Sequence, residues 1–273
     1  MSAIAHVPEA APSRASVALV ESADAPVPWA LVTDPGPSRP HNEDRWRVDS
    51  AGSTFALADG MGGYNAGEVA SEIATRTVGE LVAALRAAGL APADALVRAV
   101  AAAHAGIVDF AHTRPECLGM ATTLVVATIA DGRLTVAHVG DSRAYLLRDG
   151  TLSRLTRDHS IGQQMLDTGR MTESQVQRLP ARGILTRALG IETEPPVADV
   201  VEHDWRAGDL LLLCSDGLSD SLDDTAIARA LDVPGATLGA LASALIVEAL
   251  ARGCTDDSTV LLAGGARATA ASH

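Results

Sequence analysis

Three stretches of the chain end an apolar run on an aspartate: STFALADGMGG at 53–63, LTVAHVGDSRAY at 134–145 and DLLLLCSDGLSD at 209–220. One Asp-Gly pair is a favoured turn and by itself says little. Three such ends, together with RPHNED at 39–44 and DDSTV at 256–260, suggest a shared destination for the carboxylates. Strand side chains alternate, so residues of equal parity share a face. By that rule Asp59 follows Phe55 and Leu57, and Asp216 follows Leu210, Leu212 and Cys214. Asp141 follows Ala137 and Val139, while Asp44 precedes Trp46 and Val48. Each carboxylate is expected at the edge of an apolar face. Two carboxylates about 4 Å apart repel by roughly 4 kcal/mol at an effective dielectric near 20. Four or five together require protons or cations, and oxygen ligands without His or Cys suit the hard ions Mg2+ and Mn2+.

The elements that must position these residues are short. Strand patterns cover 42–49, 53–59, 122–130, 134–139, 143–147, 152–155, 209–215 and 258–263. Asp131-Gly132 and Asp149-Gly150 read as hairpin turns. Helical spacing covers 66–88, 92–111, 224–231 and 236–252, with Pro92 suited to a first turn. Hairpins before and after a helix pair predict an α+β fold, with mainly antiparallel sheets and helices outside. Residues 158–196 are polar and broken by Gly and Pro, as a flap subdomain would be. Residues 1–28, rich in Ala, Pro and Ser, are expected to form a disordered tail dispensable for chemistry. The expected domain is 29–265, with a short tail at 266–273.

Composition narrows the function. The 273 residues carry a formal charge of −13, which opposes nucleic acid or an acidic membrane as partner. Cys117, Cys214 and Cys254 form no CxxC pair, and no basic segment followed by an apolar core opens the chain. A reduced, cytoplasmic protein, monomeric, is the expectation. The apolar stretch at 236–251 contains Glu248 and is too short for a membrane span.

RPHNED, DGMGG (59–63), GMATTL (119–124), GDSRAY (140–145), SDGLSD (215–220) and DDSTV occur in an order and spacing that resembles the metal-dependent type 2C protein phosphatases. The resemblance runs from about Trp29 to Ala263. It implies a four-layer α-β-β-α sandwich with metals in a cleft at one end of the sheets. It also implies roles, residue by residue. Glu43, Asp59 and the carbonyl of Gly60 resemble the ligands of one metal; Asp59, Asp216 and Asp256 resemble those of a second. Asp44 resembles the carboxylate that holds water beside the metals, and Arg39 the arginine that binds phosphate. Asp141, with Asp216 and Asp220, resembles a third and weaker metal site. Asp257 stands where the family usually has Asn, so both Asp256 and Asp257 are candidates for one ligand position, with Asp256 favoured. Met61 occupies the place of a His proposed as general acid in many eukaryotic members.

The activity so implied is hydrolysis of phosphoserine and phosphothreonine on proteins, opposing a Ser/Thr kinase. Two metals would activate a water for in-line attack, and a guanidinium would grip the phosphate oxygens. None of the three cysteines begins a C-x5-R loop, so no phosphocysteine intermediate is expected. A phosphatase dedicated to one regulator, of sigma-factor antagonist type, and a non-catalytic phosphoprotein binder are the alternatives. Blander readings stand for several neighbours. His41 and His159 are expected to be surface or structural histidines, Cys214 a buried inert thiol, and Thr122 and Thr123 packing and hydrogen-bonding residues.

Overall fold

Apolar strands, two of their connections tight hairpins, and the helices laid over them build most of the fold. The computed structural model describes residues 18–62, 66–191 and 194–264. The first half contains β1 (Ala18–Ser22), β2 (Trp29–Asp34), β3 (Asp44–Val48), β4 (Thr54–Met61), α1 (Ala66–Ala87) and α2 (Pro92–His112). Then come β5 (Ala121–Thr122), β6 (Leu124–Ala130), β7 (Arg133–Val139), β8 (Arg143–Arg148) and β9 (Thr151–Arg154). The flap region holds α3 (Ile161–Asp167) and α4 (Glu173–Val176). The chain continues through β10 (Asp199–Asp204), β11 (Leu210–Cys214), α5 (Asp216–Ser219), α6 (Asp224–Leu231), α7 (Leu238–Ala251) and β12 (Ser258–Gly264). Asp131 and Asp149 both take positive φ (53° and 50°) ahead of their glycines, closing the β6–β7 and β8–β9 hairpins as two-residue turns.

Two antiparallel sheets stack. One has the order β1-β2-β12-β11-β8-β9; the other is β10-β7-β6-β4-β3, with β5 beside β4. Three apolar layers hold the stack together. Leu31, Phe55, Leu57, Val136, Leu211 and Leu261 fill the space between the sheets. Ala56, Val126 and Val139 face α1 and α2, whereas Leu212, Cys214 and Leu262 face α6 and α7. The architecture is the expected four-layer α-β-β-α sandwich. Both sheets are buried on both faces, which is why β6 and β11 read as continuous apolar runs rather than alternating ones. No helix among the described residues is long and apolar enough to cross a membrane.

Three strands escaped the sequence reading: β1, β2 and β10. β10, DVVEHD, is a polar edge strand that exists because its residues pair with β7. β1 corrects the expected tail: Ala18–Ser22 pairs in register with Trp29–Thr33. ALVES carries too few apolar residues to be recognised alone, and it gains its strand conformation from the ladder offered by β2. Residues 1–17 of that expected tail, the 266–273 tail and residues 192–193 of the expected flap lie outside the described residues.

β1 is also packed. A Cβ at Gly239 of α7 would meet Leu19 at 3.3 Å. Residues 18–28 therefore belong to the folded domain. A chain beginning at Trp29 is expected to melt below one beginning at Ala18. A loss of about 2 kcal/mol of pairing and packing corresponds to roughly 4–8 °C in a domain of this size, read by calorimetry. Equal melting temperatures would return 18–28 to the tail.

Candidate active site

Asp44 and Asp59 reach the cleft by the alternation rule. They lie opposite one another in the β3–β4 ladder, on the face where Trp46, Val48, Phe55 and Leu57 fill the space between the sheets. Asp141 and Asp216 arrive differently, and here the parity argument fails. Ala137 and Val139 face α1 and α2, while Leu210, Leu212 and Cys214 face α6 and α7. A continued strand would have buried both carboxylates under helices. Instead β7 stops at Val139 and Gly140 turns the chain at φ +101°, so that Asp141 swings inward. β11 stops at Cys214, and Asp216 becomes the first residue of α5.

The four carboxylates feel one another. Burial, then Asp44, Asp216 and Asp141, hold the Asp59 carboxyl well above its ordinary range. Burial, followed by the charges of Asp220, Asp256 and Asp44, pushes Asp216 up to about 7. Asp141 is raised by burial, Asp216, Asp158 and Asp220, against which Arg143 pulls it down. Asp44 is 4% exposed and is also pushed to about 7, first by burial. Its Oδ2 accepts from Ser215 Oγ (2.7 Å) and Thr259 Oγ1 (2.6 Å). Its Oδ1 is buried without a hydrogen-bond partner among the described residues.

The rim holds the remaining expected residues. Glu43 lies beside Arg39 at 4.0 Å and is raised by burial more than Arg39 lowers it. The Gly60 amide donates to the Glu43 carbonyl at 3.2 Å, and the Gly60 Cα packs against the backbone of Gly67 so closely that no Cβ fits. Arg39 binds Asp256 at 2.6–2.7 Å. Asp257, by contrast, is 3% exposed and turns inward, where its Oδ2 accepts the Glu43 N–H at 2.8 Å. Burial pushes Asp257 to about 7. The Asp pair is thus divided: Asp256 faces the open cleft, and Asp257 braces Glu43. Asp220 stands further out, held by Arg182 of the flap at 2.7 Å.

Several supporting residues were not anticipated. Ser215 and Thr259 sit inside quoted motifs, but that they hold Asp44, 171 and 215 positions away, needs the fold. Thr123 Oγ1 accepts the Asp59 N–H and Thr122 Oγ1 donates to the Asp59 carbonyl, as their expected role requires. Cys214 is fully buried and its thiol is pushed up to about 12. His159 is 3% exposed, and burial beside His138 and Arg187 lowers it to about 4. A histidine so disfavoured as a cation is no proton donor at neutral pH.

The protein phosphatase 2C family model matches residues 39–252. The chain belongs to the protein phosphatase 2C family. It is 41% identical over 245 residues to the serine/threonine protein phosphatase PstP of Mycobacterium tuberculosis, covering 86% of this chain but 44% of that one. It is 38% identical to the serine/threonine phosphatase stp of Listeria monocytogenes, covering 84% of this chain and 92% of that one. Among solved structures, the catalytic domain of PstP in complex with two manganese ions superposes with a TM-score of 0.75 and 37% identity, covering 87% of this chain and 97% of that one. Stp1 of Staphylococcus aureus gives 0.78 at 30% identity, covering 87% and 94%.

In this 2C phosphatase family member the donor set fits divalent cations. Acidic oxygens converge, they raise one another's proton affinity, and the Asp44 Oδ1 lacks a donor among the described residues. The same fact sets a pH dependence. Carboxyls whose folded pKa is raised hold protons that the unfolded chain has released, so metal-free stability falls as pH rises from about 4 through 7. The metal-stripped protein is expected to melt several degrees lower at pH 8 than at pH 5. Mn2+ should restore the loss at pH 8, with proton release on binding measured near pH 6.5. A melting temperature that rises with pH in the stripped protein would contradict the shared burial of these groups.

Proposed function

We propose that this protein is a phosphoserine/phosphothreonine protein phosphatase that hydrolyses its substrate directly, with divalent cations as cofactors. The observation that carries the reading is the convergence of the carboxylates Asp44, Asp59, Asp141 and Asp216 at one end of the sheets, drawn from four separate segments. The family membership and the two manganese ions bound by a relative support it. Glu43, Asp59 and the Gly60 carbonyl would hold one ion; Asp59, Asp216 and Asp256 would hold the second. Asp141, with Asp216 and Asp220, would hold a third, more weakly. The cations would be Mn2+ or Mg2+, and when bound they polarise the phosphate and make water a competent nucleophile near neutral pH.

The chain's own groups do the rest. Arg39 exchanges Asp256 for the substrate phosphate, offering two parallel N–H donors. Asp44 Oδ1 is the free acceptor that can orient the attacking water, while Ser215 and Thr259 keep the carboxylate from turning. The leaving alkoxide takes its proton from water or another group, since the buried His159 is unsuited to supply it. Beside Arg39, a groove of about 630 Å3 runs between the loop at 35–41 and Leu250 and Cys254. It offers room for polypeptide next to the phosphoresidue. The acidic chain favours basic flanking sequence. A cytoplasmic monomer opposing a Ser/Thr kinase is the setting this reading implies.

Hydrolysis of phosphothreonine peptides and p-nitrophenyl phosphate tests the proposal. Activity should require Mn2+ or Mg2+, vanish with EDTA and return on adding metal. Asp59→Asn should lower kcat by at least about a thousandfold while the protein stays folded by circular dichroism. Full activity after metal stripping would refute it. Arg39→Ala is expected to raise KM for phosphopeptide about tenfold or more, with metal affinity by calorimetry little changed. Wild-type kcat/KM in that variant would remove Arg39 from phosphate binding.

A further inference from the structure

His138, His159 and Asp199 bring possible ligand atoms within 4.8 Å of one another, a spacing that a metal would accept. Their hydrogen bonds exclude that use. The Gly140 N–H donates to His159 Nδ1 at 3.1 Å, so the neutral ring carries its proton on Nε2, which faces Asp199 Oδ2 at 3.4 Å. His138 Nε2 lies 2.9 Å from the Arg157 carbonyl and must donate to it. His159 has no lone pair left for an ion.

What His159 does hold is the Gly140 turn. Its own N–H donates to the Gly140 carbonyl at 3.0 Å, so one residue satisfies both polar backbone groups of Gly140. Gly140 is buried at φ +101°, and an added Cβ would meet Thr123 at 2.7 Å. A glycine has little conformational preference of its own, so the turn takes its shape from these external bonds. Asp141 is the next residue. On the other side, the His159 carbonyl accepts the Thr186 N–H at 2.8 Å, and Ser160 bridges to Leu185. The start of the flap region and its Leu185-Thr186 stretch therefore close on the residue that clamps the turn. Asp199, paired with Arg187 at 2.7 Å, closes the far side of the ring.

We propose that His159 is a positioning residue: its Nδ1 fixes the Gly140 turn, sets where the Asp141 carboxylate stands, and couples that carboxylate to the base of the flap. This rests on the reading of Asp141 as ligand to a third, weaker cation. Without the Nδ1 acceptor the buried Gly140 N–H has no partner, and the turn must rotate to find one.

Two substitutions separate the contacts of the ring. In His159→Asn the amide oxygen can occupy the place of Nδ1, keeping the acceptor for Gly140. In His159→Gln the amide lies near the place of Nε2, leaving Gly140 unpaired. Mn2+ alone, titrated by calorimetry and electron paramagnetic resonance, measures the tight and weak ions without turnover. We expect His159→Gln to weaken the weak ion roughly tenfold and leave the tight ions unchanged, with His159→Asn within about twofold of wild type. The Mn2+ needed for half-maximal phosphopeptide hydrolysis should follow the same order. Equal weak-ion affinity in His159→Gln and wild type overturns the proposal.

Asp141→Ala is the control. If it leaves the weak ion in place, the reading of Asp141 is wrong and the proposal falls with it. If it removes the ion while His159→Gln does not, the reading stands and the positioning role alone fails. The wild-type protein gives a measurement that needs no variant. A scalar coupling between the Gly140 and His159 Nδ1 nitrogens should be present, and both resonances should shift as Mg2+ fills the weak site. Absence of that coupling, or resonances unmoved by Mg2+, would also overturn it.

Discussion

Negative charges brought together out of water are the constraint on which this structure turns. Asp44, Asp59, Asp141 and Asp216 each lose hydration on entering the cleft and then meet one another's charge. Such a cluster opposes folding unless something offsets it. Protons do so in the bare chain, and divalent cations do so in the active state. The protein has thus traded stability for affinity toward positive charge at one end of its sheets. Stability given up at a reactive centre is common where electrostatic preorganisation does the chemistry.

The surrounding scaffold must be stiff to hold that arrangement, and the cross-links are placed accordingly. Asp44 belongs to one sheet, whereas Thr259 belongs to the other and Ser215 follows one of its strands; both hydroxyls donate to the same Asp44 oxygen. Asp257 accepts the Glu43 N–H across the same gap. Asn42 reaches Thr33, which in turn contacts Thr259. At this end of the sandwich the apolar layer gives way to a polar one, which ties the sheets together while orienting the acidic oxygens. Buried polar networks of this kind specify geometry when every member is satisfied. Here Asp44 Oδ1 and Asp257 Oδ1 are left without a partner among the described residues.

Residues 158–196 and their neighbours place basic groups against the acidic ones near the cleft. Arg182 pairs with Asp220, and Arg143 with Asp158 at 2.7 Å, so basic groups partner acidic ones on both sides of Asp141. Arg39 on Asp256 follows the same pattern. The exposed pairs Arg182–Asp220 and Arg39–Asp256 contribute little to stability, whereas Arg143–Asp158 is largely buried.

Much of this was legible in the residues. The α+β class, the helix pairs and the hairpins at Asp131-Gly132 and Asp149-Gly150 follow from local periodicity and turn chemistry. Asp44 and Asp59 were placed correctly because a strand's alternation is a local property that survives into the fold. Asp141 and Asp216 share the same destination for a reason that alternation does not contain. Their strands bury the opposite face, and only the turn at Gly140 and the early start of α5 redirect them. β1 and β10 were invisible for a related reason, since an edge strand of weak pattern acquires its conformation from a partner distant in sequence. The division of Asp256 from Asp257, and the grip of Ser215 and Thr259 on Asp44, likewise belong to the tertiary structure alone. Sequence carries what neighbouring residues decide between themselves. Which distant groups share a hydrogen bond or a charge depends on where two sheets place them, and no local pattern encodes that.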